Sequence, residues 1–306
     1  MRLSFASMKR AVMSVAIAAV AGSLGACSSP ADTLPAELVA VKQPLLKNPV
    51  GLQLYSLRGS FEKEGVPATL AKVKAMGITL VELAGTSGLT REAFKAELDK
   101  ASLTPVSMHV DITALVKDPK PFIDDAKFFN VRYLGSAWFP HENGFDEADA
   151  DLAVEAFNTA GRALKDAGLQ FFYHAHGYEF AAAPAGGTLF DSIAARTDPD
   201  NVKFQLDIFW AYHGGADPAA LLKQYPTRFV STHLKDMRTG TERNSTGGAP
   251  DDSSVALGTG MVDIKAALEA ARGTSVEYHI IEEESSTPEV NIPAGLVYVR
   301  QIEAAD

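Results

Sequence analysis

FQLDIFWAY (204–212) and FVSTHLKD (229–236) decide the fold. Both are short apolar runs, and each carries one good metal ligand at its carboxyl end, Asp207 in the first and His233 in the second. Between them DPAALLKQY (217–225) opens with Asp-Pro, a helix start, and continues with apolar residues at helical spacing. Strand, helix, strand is a βαβ crossover, which predicts parallel strands with Asp207 and His233 at the same end of one sheet. A carboxylate and an imidazole converging there suit a divalent ion; a buried Asp paired with a core His is the alternative.

Outward from this unit the same alternation repeats. VGLQLYS (50–56) precedes a helical stretch, VPATLAKVKAM (66–76), closed by Gly77. LVELAG (80–85) precedes a helix capped by Thr90. TPVSMHV (104–110) leads to PKPFIDDAKFF (119–129), and VRYLGSAWF (131–139) leads to a long helix ending LKDAG (164–168). FFYHAH (171–176) is followed by TLFDSIAART (188–197). The eighth strand is EYHIIEEE (277–284), with PAGLVYVRQIE (293–303) as a closing helix. Strands apolar on both faces, each followed by a helix, imply an all-parallel covered sheet. Eight such units predict a (β/α)8 TIM barrel, a single domain over 48–306. A doubly wound sheet is the other arrangement, but no Gly-rich dinucleotide fingerprint follows the first strand.

The chain opens MRLSFASMKRAVMSVAIAAVAGSLGAC, a basic start, an apolar run from Ala11 to Ala21 and then Leu24-Gly25-Ala26-Cys27. The run is short of the roughly 20 residues that span a bilayer, so it reads as a secretory signal. Met8-Lys9-Arg10 offers an equally good start. The ending resembles the lipobox of bacterial lipoproteins, in which the cysteine becomes the lipid-modified first residue. Cys27 is the single cysteine of the chain, which rules out an intramolecular disulfide. The expected organisation is a lipoprotein signal peptide over 1–26, a Ser/Pro/Ala-rich tether over 27–47 and the barrel beyond. The expected location is exported and membrane-anchored through lipid, in the periplasm. Loss of Arg2, Lys9 and Arg10 on cleavage, with no acid lost, takes the formal charge from −10 to −13. An acidic body without a Lys/Arg stripe argues against nucleic acid as a partner.

In a barrel, function sits at the carboxyl ends of the strands. Strand five offers His174 and His176, on one face by their spacing, with Glu179 just beyond. Strand six offers Asp207, strand seven His233 and Lys235, and strand eight Glu282, Glu283 and Glu284. Three consecutive carboxylates would make a poor core, so one of them is expected to meet a positive group. Glu282 and Glu284 share a face that Glu283 does not. Ligands of this kind suit Mn²⁺, Mg²⁺, Co²⁺ or Zn²⁺ with open positions for substrate oxygens. His109, Trp138 and Tyr55 are candidate substrate contacts at neighbouring strand ends. The polar loop from Arg238 to Ser254 is long enough to be a lid.

Taken in order, YHAHGYEF (173–180), QLDIFWAYHGG (205–215), STHLKD (231–236), ALGTGMVDI (256–264) and IIEEE (280–284) resemble the sugar phosphate isomerase/epimerase superfamily of xylose-isomerase-like barrels. The likeness covers the chain after residue 48. It implies one divalent ion held by a Glu, an Asp, a His and a second Glu from strands five to eight. Carried onto this chain these are Glu179, Asp207, His233 and Glu282, with His174 as the other choice for the first ligand. In epimerase members the two Glu residues also exchange the substrate proton, which makes Glu179 and Glu282 the expected catalytic pair. His109, Trp138, His174, His176 and Lys235 are the expected substrate contacts. The implied reaction is isomerisation or epimerisation of an unphosphorylated sugar or keto-sugar by proton abstraction beside a carbonyl, through an enediolate. Elimination from 3-keto-glycosides by a lyase follows from the same intermediate. A non-catalytic sugar-binding lipoprotein is the reading from a different class.

Overall fold

The computed structural model describes residues 43–306, so the expected signal peptide, the lipidation site Cys27 and the tether up to residue 42 lie outside the described residues. Eight parallel strands close into a barrel surrounded by helices, as the sequence predicts. They are β1 (Gly51–Gln53), β2 (Leu80–Leu83), β3 (Thr104–His109), β4 (Tyr133–Ser136), β5 (Gln170–Ala175), β6 (Val202–Asp207), β7 (Phe229–Leu234) and β10 (Tyr278–Ile281). β10 pairs with both β7 and β1 and completes the ring. A separate antiparallel pair, β8 (Asp236–Met237) with β9 (Ser254–Val255), stands just after the seventh barrel strand.

Local signals set the helix ends. Thr90 Oγ1 accepts from Ala93 N at 3.2 Å, and Thr188 and Asp191 form a reciprocal capping box. Gly77 takes a φ of +80° just past the end of the helix Val66–Ala75, a conformation open to glycine without strain. Two expectations shift. The run 204–212 is not one strand: β6 stops at Asp207, whose Oδ1 accepts from Trp210 N at 2.9 Å and caps a short helix, Ile208–His213. The closing helix begins earlier than expected, at Pro288, because proline suits the first helical position where no N–H is needed.

The barrel interior is built in layers. Tyr133, Phe172, Val230 and Tyr278 form an apolar layer, and Phe172 lies so close to β4 that a Cβ on Gly135 would come within 2.1 Å of its ring. Strand alternation places the next inward residues one layer higher, His174 above Phe172 and Gln205 above Lys203. That higher layer is polar, and it is where the site lies.

The loop 238–254 is anchored at both ends by the β8–β9 pair. Asp236, next to the strand-seven residues, accepts from the backbone N–H groups of Met237, Gly258, Gly260 and Val262, so its carboxylate organises the returning chain. At the tip Gly247, with φ +71°, lies against Tyr178, where an added Cβ would sit 2.5 Å from the ring. Arg243 Nε donates to Tyr212 O at 2.6 Å, and its guanidinium stacks 4.0 Å above the Tyr212 ring.

Candidate metal centre

Neighbouring strands bring four candidate ligands to one point. His174 from β5, Asp207 from the end of β6, His233 from β7 and Glu282 just after β10 are all buried, and each offers one ligand atom within 4.8 Å of the others. Asp207 and His233 are direct partners in the β6–β7 register, and His233 pairs with Ile280 two residues before Glu282. One oxygen of Asp207 caps its helix, while Oδ2 has no hydrogen-bond partner and lies 3.9 Å from His174 Nε2. Burial pushes the Asp207 carboxyl up to about 7. Burial and the nearby His233 hold His174 well below the usual imidazole range, so it is neutral and has a lone pair to give. Glu282 Oε2 lies 3.2 Å from His233 Nδ1 and 3.8 Å from Lys235 Nζ. Burial opposes its ionisation, yet His233 and Lys235 hold it well below the usual carboxylate range. A buried carboxylate oxygen without a partner, beside two imidazoles and a second carboxylate, is costly unless a cation completes it. This donor set fits a borderline divalent ion such as Zn²⁺, Co²⁺ or Mn²⁺.

Glu179, the expected first ligand and one of the expected catalytic pair, does not join this group. After His176 the chain turns at Gly177, with φ +101°, and Glu179 folds back to accept from His176 N at 3.1 Å and Gly177 N at 2.9 Å. Its other oxygen takes the Tyr173 hydroxyl, which also bonds Tyr178 OH at 2.6 Å. Burial raises the Glu179 carboxyl to about 7. His174 stands in the cluster in its place because it lies on the strand itself, facing the barrel axis.

The expected substrate contacts are distributed around this centre. His176 is buried, stacks on Trp210 at 4.3 Å, and leaves Nδ1 without a hydrogen-bond partner. Burial and the Lys235 ammonium lower it to about 3, so it too is neutral. Trp138 is 43% exposed and stacks on His141 at 4.9 Å, with its edge toward His176 and Tyr178. Lys235 is buried against the faces of Phe209 and Trp210 and pairs with Glu284. Burial disfavours its charge, but Glu284, Glu282 and Asp207 keep it protonated. Glu283 turns away to bond Ser254 Oγ at 2.9 Å and Ser285 Oγ at 2.8 Å. His109 reaches deeper than a rim contact, lying 3.0 Å from Gln205 Oε1 and stacked on His233. Tyr55 is exposed at the rim under Arg58. A cavity of about 230 Å³ opens above Lys235, lined by Arg58, Phe209, Trp210, Gly247 and Glu284.

Sequence reasoning passes over Glu82 and Gln205. Both are fully buried in the polar layer, and Gln205 Nε2 donates to Glu82 Oε2 at 2.9 Å. The signal was present: each is a polar residue inside an apolar strand, LVELAG and FQLD, and the cost of burying it demands a partner.

Residues 70–302 match the family described as xylose isomerase-like TIM barrel. Among solved structures, a sugar phosphate isomerase/epimerase from Parabacteroides distasonis ATCC 8503 superposes with a TM-score of 0.70 at 23% identity, covering 89% of this chain and 98% of that one. A structure described as the IOLI protein with a binding zinc atom gives 0.65 at 14% identity, covering 84% and 99%. An inosose dehydratase of Clostridium beijerinckii is 24% identical over 156 residues, 49% of this chain and 51% of the relative. Another, from Geobacillus kaustophilus, is 28% identical over 92 residues, 30% and 29% of the two chains. This chain thus spans about half, or less, of the length of the curated relatives it matches. With the family model matched across most of the barrel, the chain belongs to the xylose isomerase-like TIM barrel family.

Proposed function

We propose that the protein is a divalent-metal-dependent enzyme that removes the proton beside a carbonyl of a sugar or keto-sugar and expels a substituent from the next carbon. The observation that carries this reading is that Glu179, one of the two glutamates expected to flank the substrate, is turned away from the centre. A two-base epimerisation needs carboxylates on both sides of the substrate, and Glu179 is committed to backbone amides and Tyr173. Glu282 is left as the carboxylate that takes the proton, with Lys235 3.8 Å away to donate a hydrogen bond to oxygen as charge develops. The electron pair from the broken C–H bond is held first on the carbonyl oxygen and then becomes the new double bond as the neighbouring C–O bond breaks, and the proton carried by Glu282 passes to the departing oxygen, so water or an alcohol leaves. A divalent ion, where bound, would supply Lewis-acid polarisation of the carbonyl. His174, Asp207, His233 and Glu282 would hold it. Trp138 offers an aromatic face to the C–H surface of the sugar. The name of the inosose dehydratases supports loss of water from a polyhydroxylated ketone. The leader ending in Cys27 supports an exported, lipid-anchored enzyme, and outside the cytoplasm an unphosphorylated sugar or 3-keto-glycoside is the better substrate.

Incubation with a panel of keto-sugars, inososes and 3-keto-glycosides in deuterated water tests the reading. Release of water or aglycone with formation of an enone is the expected result. Deuterium incorporation without loss of a group would instead establish isomerisation or epimerisation, and neither across the panel would refute enzymatic proton abstraction.

The loop tip closes the cavity at Gly247, whose backbone approach to Tyr178 admits no side chain. Gly247→Val is therefore expected to lift the tip and raise the apparent KM about tenfold, equivalent to about 1.4 kcal/mol, with a smaller change in kcat. Steady-state kinetics on the accepted substrate checks this, and an unchanged KM would remove the loop from substrate enclosure.

A further inference from the structure

Glu82 lies on β2, on the far side of the ring from the ligand strands β5 to β7, and is fully buried. Five side chains converge on its two oxygens. Oε1 meets His233 Nε2 at 2.6 Å, Gln53 Nε2 at 2.7 Å and His109 Nε2 at 3.1 Å. Oε2 meets Ser107 Oγ at 2.6 Å and Gln205 Nε2 at 2.9 Å. Barrel closure does not require such a group, since an apolar residue of similar volume would fill the layer at no desolvation cost.

We infer that Glu82 is a positioning residue for the metal centre, fixing the ring of His233 so that Nδ1 faces the ion. This rests on the reading of His174, Asp207, His233 and Glu282 as metal ligands. The His233 ring has two nitrogens, and Glu82 takes the N–H of one. Nε2–H is committed to Glu82 Oε1, which leaves Nδ1, on the side of Glu282 Oε2, as the nitrogen that gives up its proton and takes the ion. Gln205 extends the device to His174. Its amide N–H groups donate to Glu82 Oε2 and to Ser231 Oγ, which leaves Oε1 as acceptor for His174 Nδ1–H at 2.8 Å. His174 Nε2 then faces Asp207 Oδ2. One carboxylate thus sets the orientation of both imidazoles, the arrangement by which an outer partner fixes tautomer and ring plane of a metal-ligating histidine.

The test is zinc affinity, measured by competition with a chromogenic chelator, together with ring-nitrogen NMR of ¹⁵N-histidine-labelled protein. Wild type is expected to bind zinc with His233 metallated at Nδ1 and protonated at Nε2. Glu82→Gln keeps the shape but places an N–H₂ against the converging donors, and is expected to lower zinc affinity about 10–100-fold while the protein stays folded by circular dichroism. Ser107→Ala removes one hydrogen bond to Glu82 and no ligand contact, so it is expected to lower Tm with zinc affinity nearly unchanged. Unchanged zinc affinity in Glu82→Gln, or zinc on Nε2 of His233 in wild type, would overturn the inference and leave the metal centre standing. Absence of zinc binding by wild type would overturn the metal reading and this inference with it. Should Glu82→Gln fail to fold, the wild-type nitrogen assignment decides alone.

Discussion

Replacing His174 by Ala is expected to lower the affinity of the purified protein for zinc by at least about 100-fold, and Asp207→Ala and His233→Ala are expected to do the same. Glu179→Gln should retain the ion. The contrast follows from where the side chains point. His174, Asp207 and His233 each bring a ligand atom to the common centre, and removing one from a set of four leaves three ligands and a cavity in the polar layer. Glu179 is held by two backbone amides and a tyrosine hydroxyl. Because burial raises its folded-state value to about 7 from an ordinary 4.5, ionised Glu179 makes the fold less stable as pH rises through that interval. Glu179→Gln removes this dependence, so its Tm relative to wild type should improve between pH 5 and pH 8. Equilibrium dialysis with metal analysis, alongside thermal melts at both pH values, checks both halves. Zinc retained by His174→Ala and lost by Glu179→Gln would place the ligand on the loop.

The second large effect is at Glu282. With metal at saturation, Glu282→Gln is expected to reduce turnover by about 10²–10⁴-fold, the range lost when a positioned general base is removed. Saturation matters because Glu282 also supplies a ligand atom, and weakened binding has to be separated from lost proton transfer. Exchange of the substrate's α-proton with deuterated solvent should fall in parallel, since the base acts before any group leaves. Glu283→Gln is the matched control: its carboxylate ties Ser254 and Ser285 together, so stability should suffer and turnover should not. Equal loss of turnover in both variants would count against Glu282 as the base.

Much of this was legible in the chain itself. Parallel strands separated by helices leave a local pattern of apolar runs and caps, and eight repeats of it determine a (β/α)8 barrel with its chemistry at the strand ends. Asp207, His233 and Glu282 could be picked out because each is a polar residue closing an apolar strand, and buried polar groups demand partners. The motifs taken in order pointed to the family, and the reaction class proposed above is an implication of that likeness together with the geometry of the site.

The tertiary structure decided what local pattern cannot carry. Whether His174 or Glu179 joins the centre depends on the turn at Gly177, where a Cβ would lie 2.9 Å from Trp210 O and where a positive φ brings Glu179 back onto the amides of His176 and Gly177 just past the strand. The role of Glu82 depends on ring closure, which brings β2 across the barrel to His233, 151 residues away in sequence, at 2.6 Å. Periodicity records which face of a strand a residue occupies, and so it announced that Glu82 points inward. Only the closed barrel, by fixing which strands face each other across the axis, determines that the group it meets there is His233 of the candidate metal centre.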